Sequence, residues 1–270
     1  MFVIANNITT RNSVVNQIFR QAKAGGWVKN QQAIIMLQDL TEQCITTGAD
    51  ALEINIQQYH DLPEAMKFAV NAVQETTNLQ LCLSTNSAEA LEAGLRACKR
   101  PPLINYISID EAKLRQMLPL IANHGASVVL LVSTPTAPTD AHEMLRKTAI
   151  LVGAANEVGI PNDSIFVDPG LIHITSDMGQ RHLTEVMEFL RVLPDATEPP
   201  VKSTCWLANC SAGAPKRLRP AIETTLLPML AGTGLSSVFL DVLQRENRRA
   251  LRMIKIFNNE VIYSNSEAEL

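Results

Sequence analysis

The chain holds 270 residues, 46% of them hydrophobic, which is enough for one large core, and its formal net charge of −4 disfavours nucleic acid, whose binding calls for a basic face. No apolar stretch approaches the ~18 residues of a membrane span, and the chain opens on the strand-like Phe2-Val3-Ile4 without the basic and cleavable segments of a secretory leader. Cys44, Cys82, Cys98, Cys205 and Cys210 form no CxxC pair and the histidines no HExxH pair, so a reducing, cytoplasmic setting and no intrinsic metal are expected.

Apolar runs that read as strands fall at 2–5, 51–55, 79–83, 103–107, 127–132, 165–167, 204–208 and 237–240. Most are continuous rather than alternating, the pattern of strands covered on both faces. Helical stretches follow them at 31–46, 62–75, 87–98, 110–123, 139–158, 180–193, 218–231 and 244–257. In the first of these, Ile34, Leu37, Leu40, Cys44 and Ile45 recur at the spacing of one helical face. Gly48, Gly125 and Gly159 stand where a helix must stop before the next strand, and Asp110 and Thr139 suit helix N-caps. Glu198-Pro199-Pro200 is too short to mark a boundary, so residues 1–270 are expected to form a single domain. Eight such units in this length predict an α/β fold, a closed (β/α)8 TIM barrel, with a doubly wound open sheet as the rival.

In such a barrel the C-terminal strand ends share one mouth. The polar or acidic residues where the runs end are Asn6, Asn55, Ser84, Asn105, Ser133, Asp168, Asn209 and Asp241, and together they make a pocket there. Asp168, before Pro169-Gly170, suits either a cap on turn N–H groups or a bidentate acceptor for an amidine-like edge. Asn209 can both donate and accept, so it can follow a charge change without holding charge itself. Glu53 and Asp241 are acids in apolar strands and need partners, which Lys216 or Arg217 would supply. The helix bearing Arg245, Arg248, Arg249 and Arg252 reads as a solvated face, and Met144, Met178 and Met187 as core or loop filling.

The segments ALEIN (51–55), LQLCLSTN (79–86), EALEAGL (89–95), Leu103-Ile104-Asn105, GIPNDSIFVDPG (159–170) and the Asn209-Cys210-Ser211 turn, with Arg217 beyond it, carry a resemblance over almost the whole chain. They resemble the methyltetrahydrofolate:corrinoid protein methyltransferases, part of a pterin-binding superfamily that includes dihydropteroate synthase. The resemblance implies a dihydropteroate synthase-like barrel, a homodimer, and transfer of the N5 methyl group of methyltetrahydrofolate, or a related tetrahydropterin, to the Co(I) of a corrinoid carried by a partner protein. It implies pterin contacts at Asn105 and Asp168, a hydrogen bond near N5 from Asn209, and further pterin-binding positions at Ser84, Asn55, Asn6 and Arg217.

The chain departs from that family's pattern at three places. Ser84 stands where the family has Asp, residues 5–9 (ANNIT) replace a Gly-Glu-Arg-Ile-Asn motif, and 133–140 (STPTAPTD) lacks an Asn-Lys sequence. One lost charge-assisted hydrogen bond costs on the order of 1.5–3 kcal/mol. A non-catalytic pterin-binding or corrinoid-partner subunit is therefore the alternative. A dihydropteroate synthase-like condensation, drawing on Lys202 or Arg217 for a pyrophosphate, ranks below it.

Overall fold

A computed structural model describes residues 1–27, 30–133 and 140–269. Its strands are β1 (Phe2–Thr9), β2 (Ala51–Asn55), β3 (Gln80–Ser84), β4 (Leu103–Ser108), β5 (Ser127–Leu131), β6 (Ile165–Asp168), β7 (Lys202–Ser203) and β8 (Ser237–Leu240). The helices are α1 (Ser13–Ala24), α2 (Gln31–Thr46), α3 (Pro63–Gln74), α4 (Ala88–Ala97), α5 (Glu111–Asn123), α6 (Ala141–Glu157), α7 (Gly179–Val192), α8 (Arg219–Gly232), α9 (Arg245–Phe257) and α10 (Asn265–Glu269). Every strand pair is parallel, in the order β7-β6-β5-β4-β3-β2-β1-β8. A parallel bridge between Trp206 and Phe239 joins the two ends, so the sheet curls into a nearly closed barrel and the open-sheet rival falls. Beside that bridge, Phe239 N–H donates to the Cys205 carbonyl at 2.8 Å, and the Ser236 and Ser237 hydroxyls donate to the Ser203 carbonyl at 2.8 and 2.9 Å.

The barrel interior is layered two residues at a time, because alternate side chains of a strand face the same way. Ile4, Ala51, Cys82, Leu103, Val129, Phe166 and Phe239 pack together as one buried apolar cluster. Two positions further along four of the same strands come Glu53, Ser84, Asn105 and Asp168. The other faces of the strands, with the helices, form the larger core. Gly94, in the EALEAGL segment, lets α4 lie close on α3 and β3. A Cβ there would sit 2.7 Å from Met66 Cγ and 2.8 Å from Leu83 Cδ1.

Four expectations need correction. The sequence reading has no helix between the first strand and 31–46, yet α1 fills that space, with Val15, Ile18, Phe19 and Ala22 buried at helical spacing and the Asn12 side chain accepting from Val14 N–H. β1 runs on through Asn6 and Asn7 because a β-bulge carries the strand past them: Ala5 pairs with Leu52 and Ile8 with Ile54, so two residues oppose Glu53 alone. The seventh strand ends at Ser203, and the apolar run after it enters a 3-10 turn at Leu207–Ser211, in which Leu207, Cys210 and Ser211 are buried without being strand. Finally, Arg248 donates to the Val242 and Leu243 carbonyls and Arg252 pairs with Glu267, so that helix is only partly a solvated face. Asp110 caps α5 as expected. α6 is capped by Asp140, while Thr139 and most of the 133–140 segment lie outside the described residues.

Candidate functional site

A cavity of ≈ 240 Å³ opens at the C-terminal end of the barrel, lined by Arg11, Asn55, Gln57, His60, Ser84, Thr85, Asn86, Asn105, Tyr106, Leu131, Ser133, Asp168, Gly170, Leu171, Trp206 and Asn209. Of the candidate binding residues, Asn55, Ser84, Asn105, Asp168 and Asn209 are brought together here. Asn6 and Arg217 are not. The bulge breaks the ladder at Asn6, and the neighbouring Asn7 is drawn aside, donating to Asp241 Oδ1 and accepting from Val242 N–H. Arg217 is exposed in the 3-10 turn Lys216–Leu218 that leads into α8. Lys202, the other cation considered for a pyrophosphate, also lies outside the cavity lining: it donates to the Asp163 carbonyl at 2.6 Å and sits over the Phe166 ring.

Glu53 organises the floor. It is fully buried, and its Oε1 accepts from Asn105 Nδ2 at 3.0 Å and Asn55 Nδ2 at 3.5 Å, while Oε2 finds no hydrogen-bond partner among the described residues. The partners expected for it, Lys216 and Arg217, are replaced by amides. Burial pushes the Glu53 carboxyl up to about 7, against the opposing pull of hydrogen bonds from Asn105, Ser84 and Asn55 and the charge of Arg11. A second bulge shapes the wall. Ile104 pairs with Val128 and Ile107 with Leu130, so Asn105 and Tyr106 oppose Val129 alone; Asn105 is buried and Tyr106 exposed.

Asp168 ends β6 and is 5% exposed. Its Oδ1 accepts from Gly170 N–H at 2.7 Å, so the turn-capping role is met by one oxygen. Burial raises its pKa to about 7, and the Gly170 N–H offsets part of that. The turn demands glycine at 170: φ is +75°, and a Cβ would meet Ser133 Oγ at 2.0 Å. Asn209 stands on the 3-10 turn, exposed at the rim, and its side chain makes no hydrogen bond among the described residues. Its base is fixed all the same. Ser211 Oγ donates to Glu223 Oε1 at 2.5 Å, and the Cys210 carbonyl accepts from Ile174 N–H at 2.9 Å. A buried acceptor, buried amides and one free amide on an anchored turn can hold a flat ring bearing N–H donors and follow a change of charge on it.

A family model described as pterin binding enzyme matches residues 25–211. The chain belongs to the pterin-binding enzyme family. Among curated relatives of this pterin-binding chain, a methylcorrinoid:tetrahydrofolate methyltransferase of Eubacterium limosum is 23% identical over 193 residues, 70% of this chain and 69% of that one. The methionine synthase of Mycobacterium tuberculosis is 24% identical over 214 residues, which is 75% of this chain but only 18% of that much longer protein. The fold matches dihydropteroate synthase of Stenotrophomonas maltophilia, with active-site-bound imidazole, at a TM-score of 0.67 and 15% identity, covering 97% of this chain and 94% of the other. The Xanthomonas albilineans dihydropteroate synthase in complex with 7,8-dihydropteroate gives 0.66 and 14%, with the same coverage.

Arg11, His60, Tyr106 and Trp206 are cavity residues that the sequence reading passed over. Arg11 follows the bulged strand and donates Nε to Gln57 Oε1; Thr10 N–H to the Asn55 carbonyl at 2.9 Å ties its loop to the end of β2. The carboxylate and guanidinium absent from the expected motifs thus reappear beside the cavity as Glu53 and Arg11. Of these, Glu53 carried a signal, as an acid inside an apolar strand.

Proposed function

We propose that this pterin-binding chain is a methyltransferase working between the N5 position of methyltetrahydrofolate, or a related tetrahydropterin, and the cobalt of a corrinoid held by a partner protein. The observation that carries the reading is the convergence of Asp168, Asn105 and Asn209 on one cavity. The name of the Eubacterium limosum relative, which pairs a methylcorrinoid with tetrahydrofolate, supports the same pair of reactants.

The chemistry asks little of protein acids and bases. The corrinoid supplies the nucleophile when its carrier docks. In the transfer the N5–CH3 bond breaks, the methyl group leaves without its bonding pair, and N5 keeps that pair and takes one proton. Asp168 accepts the paired N–H groups of the pterin's amidine edge, which favours its ionised form. Asn105, steadied by Glu53, fixes the ring from the neighbouring wall. Asn209 turns its amide to favour the protonated N5, stabilising the departing amine. Orientation is the main contribution of the chain, since in-line displacement depends on the angle at which the methyl group is offered.

The test is anaerobic incubation with methyltetrahydrofolate and a fully reduced corrinoid protein, following the corrinoid absorbance. Methyl transfer that fails in Asn209→Ala and Asp168→Ala supports the reading. Binding without transfer to any corrinoid acceptor replaces it with a non-catalytic pterin-binding subunit, and transfer with neither methyltetrahydrofolate nor its methanopterin analogue overturns it. Sizing of the same preparation tests for the homodimer.

A further inference from the structure

The cavity has a polar edge, where Asn105 and Asp168 lie, and an aromatic wall that methyl transfer as set out above does not use. That wall is Trp206. It belongs to the residue pair that closes the barrel, and its ring stacks on Phe239 with centroids 5.7 Å apart and planes at 29°. Phe239 is fully buried in the apolar layer of the barrel, and Trp206 packs onto that layer from above while remaining partly exposed and lining the cavity. One indole face is therefore spent on Phe239, and the exposed remainder belongs to the cavity. The residue also carries the turn bearing Asn209, whose N–H donates to the Trp206 carbonyl at 3.1 Å.

We infer that Trp206 is the stacking platform for the bicyclic ring of the ligand, and that it sets the plane in which N5 meets Asn209. The inference rests on the pterin reading above and extends it to a residue and a geometry. A flat heterocycle with donors along one edge needs an in-plane partner for those donors and a face partner for its π-system. The in-plane partner is Asp168, and the face partner is an indole already held against a buried ring, the two planes 29° apart. Because Phe239 fixes the indole, little side-chain freedom is lost when a ligand lands on it. Stacking of a nucleobase-like ring on an aromatic side chain is worth about 1–3 kcal/mol, or roughly five- to a hundredfold in affinity.

The chain has two tryptophans, and the other, Trp27, packs in a separate aromatic cluster with Phe19, Tyr59 and Phe68. Emission of a Trp27→Phe protein thus reports on Trp206 alone. Titration with methyltetrahydrofolate, corrected for ligand absorbance with free N-acetyltryptophanamide, should quench that emission. The affinity from quenching should agree with the affinity from calorimetry on the unsubstituted chain. Trp206→Leu should weaken binding about tenfold or more, and Trp206→Phe should restore it to within about threefold, with thermal melting run on each. If Trp27→Phe does not fold, the difference in quenching between the unsubstituted chain and Trp206→Phe gives the same reading. Calorimetric binding without quenching, or Trp206→Leu binding as tightly as the unsubstituted chain, overturns the platform and leaves the pterin reading standing. No calorimetric binding of either methyltetrahydrofolate or its methanopterin analogue to the unsubstituted chain overturns both.

Discussion

Two layers of the same barrel interior, one dihedral repeat apart, do opposite work. Ile4, Ala51, Cys82, Leu103, Val129, Phe166 and Phe239 form a dry packing layer. Glu53, Ser84, Asn105 and Asp168 stand two residues further along the strands and carry hydrogen-bonding groups, buried in all but the half-buried Ser84. The lower layer contributes stability through area removed from water. The upper layer costs stability, since two carboxyl groups sit there with raised pKa values and Glu53 Oε2 has no partner among the described residues. Such strain is the usual mark of a site where ligand atoms complete the hydrogen bonding.

Substitutions in one layer and then the other should have opposite consequences. Phe239→Ala in the lower layer should lower the unfolding free energy by about 3–5 kcal/mol in urea titration. Asp168→Ala in the upper layer should reduce pterin affinity at least about a hundredfold by calorimetry, from the loss of charge-assisted hydrogen bonds, with a far smaller stability cost. If the two variants show the same profile, the layers are not functionally distinct. Asn209→Ala should cut the rate of methyl transfer by roughly a hundredfold while changing affinity little, as expected for an amide whose contact with N5 strengthens only as the charge there changes.

Acidity sharpens it further. The carboxyl of Asp168 titrates near 7 in the folded chain, against an ordinary carboxylate value near 4 when unfolded. Between those values the folded state holds more protons, so this group's contribution to stability is present at low pH and lost as pH rises through about 7. Asp168→Asn should therefore raise the melting temperature relative to the unsubstituted chain more at pH 8 than at pH 5. Ligand affinity moves the other way. A ligand that needs the ionised carboxylate should bind up to about tenfold more weakly at pH 6 than at pH 8, and that dependence should shrink in Asp168→Asn, leaving only what Glu53 contributes. The smallest effect expected is from Arg217→Ala. The side chain is exposed and outside the cavity lining, so affinity should change less than about twofold.

The architecture was legible because the strands are covered on both faces and a polar residue ends or closely follows most of the apolar runs. Period and punctuation alone placed seven of the eight strands within a few residues. What escaped did so for local reasons. β1 looked short because Asn6 and Asn7 interrupt its apolar run, and a bulge is a register property invisible in one strand's composition. β7 was misplaced because Cys205 and Leu207 are as buried as strand residues while the backbone there is already turning. For the site, Asn105, Asp168 and Asn209 were readable as polar ends of apolar runs, although only Asp168 ends a strand: Asn105 lies at the bulge within β4 and Asn209 in a 3-10 turn. Arg11 and Trp206 were not, because which side chains reach over a mouth depends on loops whose course is set by contacts such as Thr10 to Asn55.

Seven strand pairs and one bridge also make the barrel a split ring rather than a uniform hoop. The turn bearing Asn209 hangs on one lip of that split, and the indole of Trp206 spans it. A joint held by one bridge and the hydrogen bonds of Phe239, Ser236 and Ser237 is expected to open at lower free energy than the four-pair ladder of β1 and β2. The mouth can then widen and narrow around a ligand while the other parallel ladders stay intact. Amide exchange at Phe239, whose N–H crosses the joint to Cys205, is the gauge of that breathing.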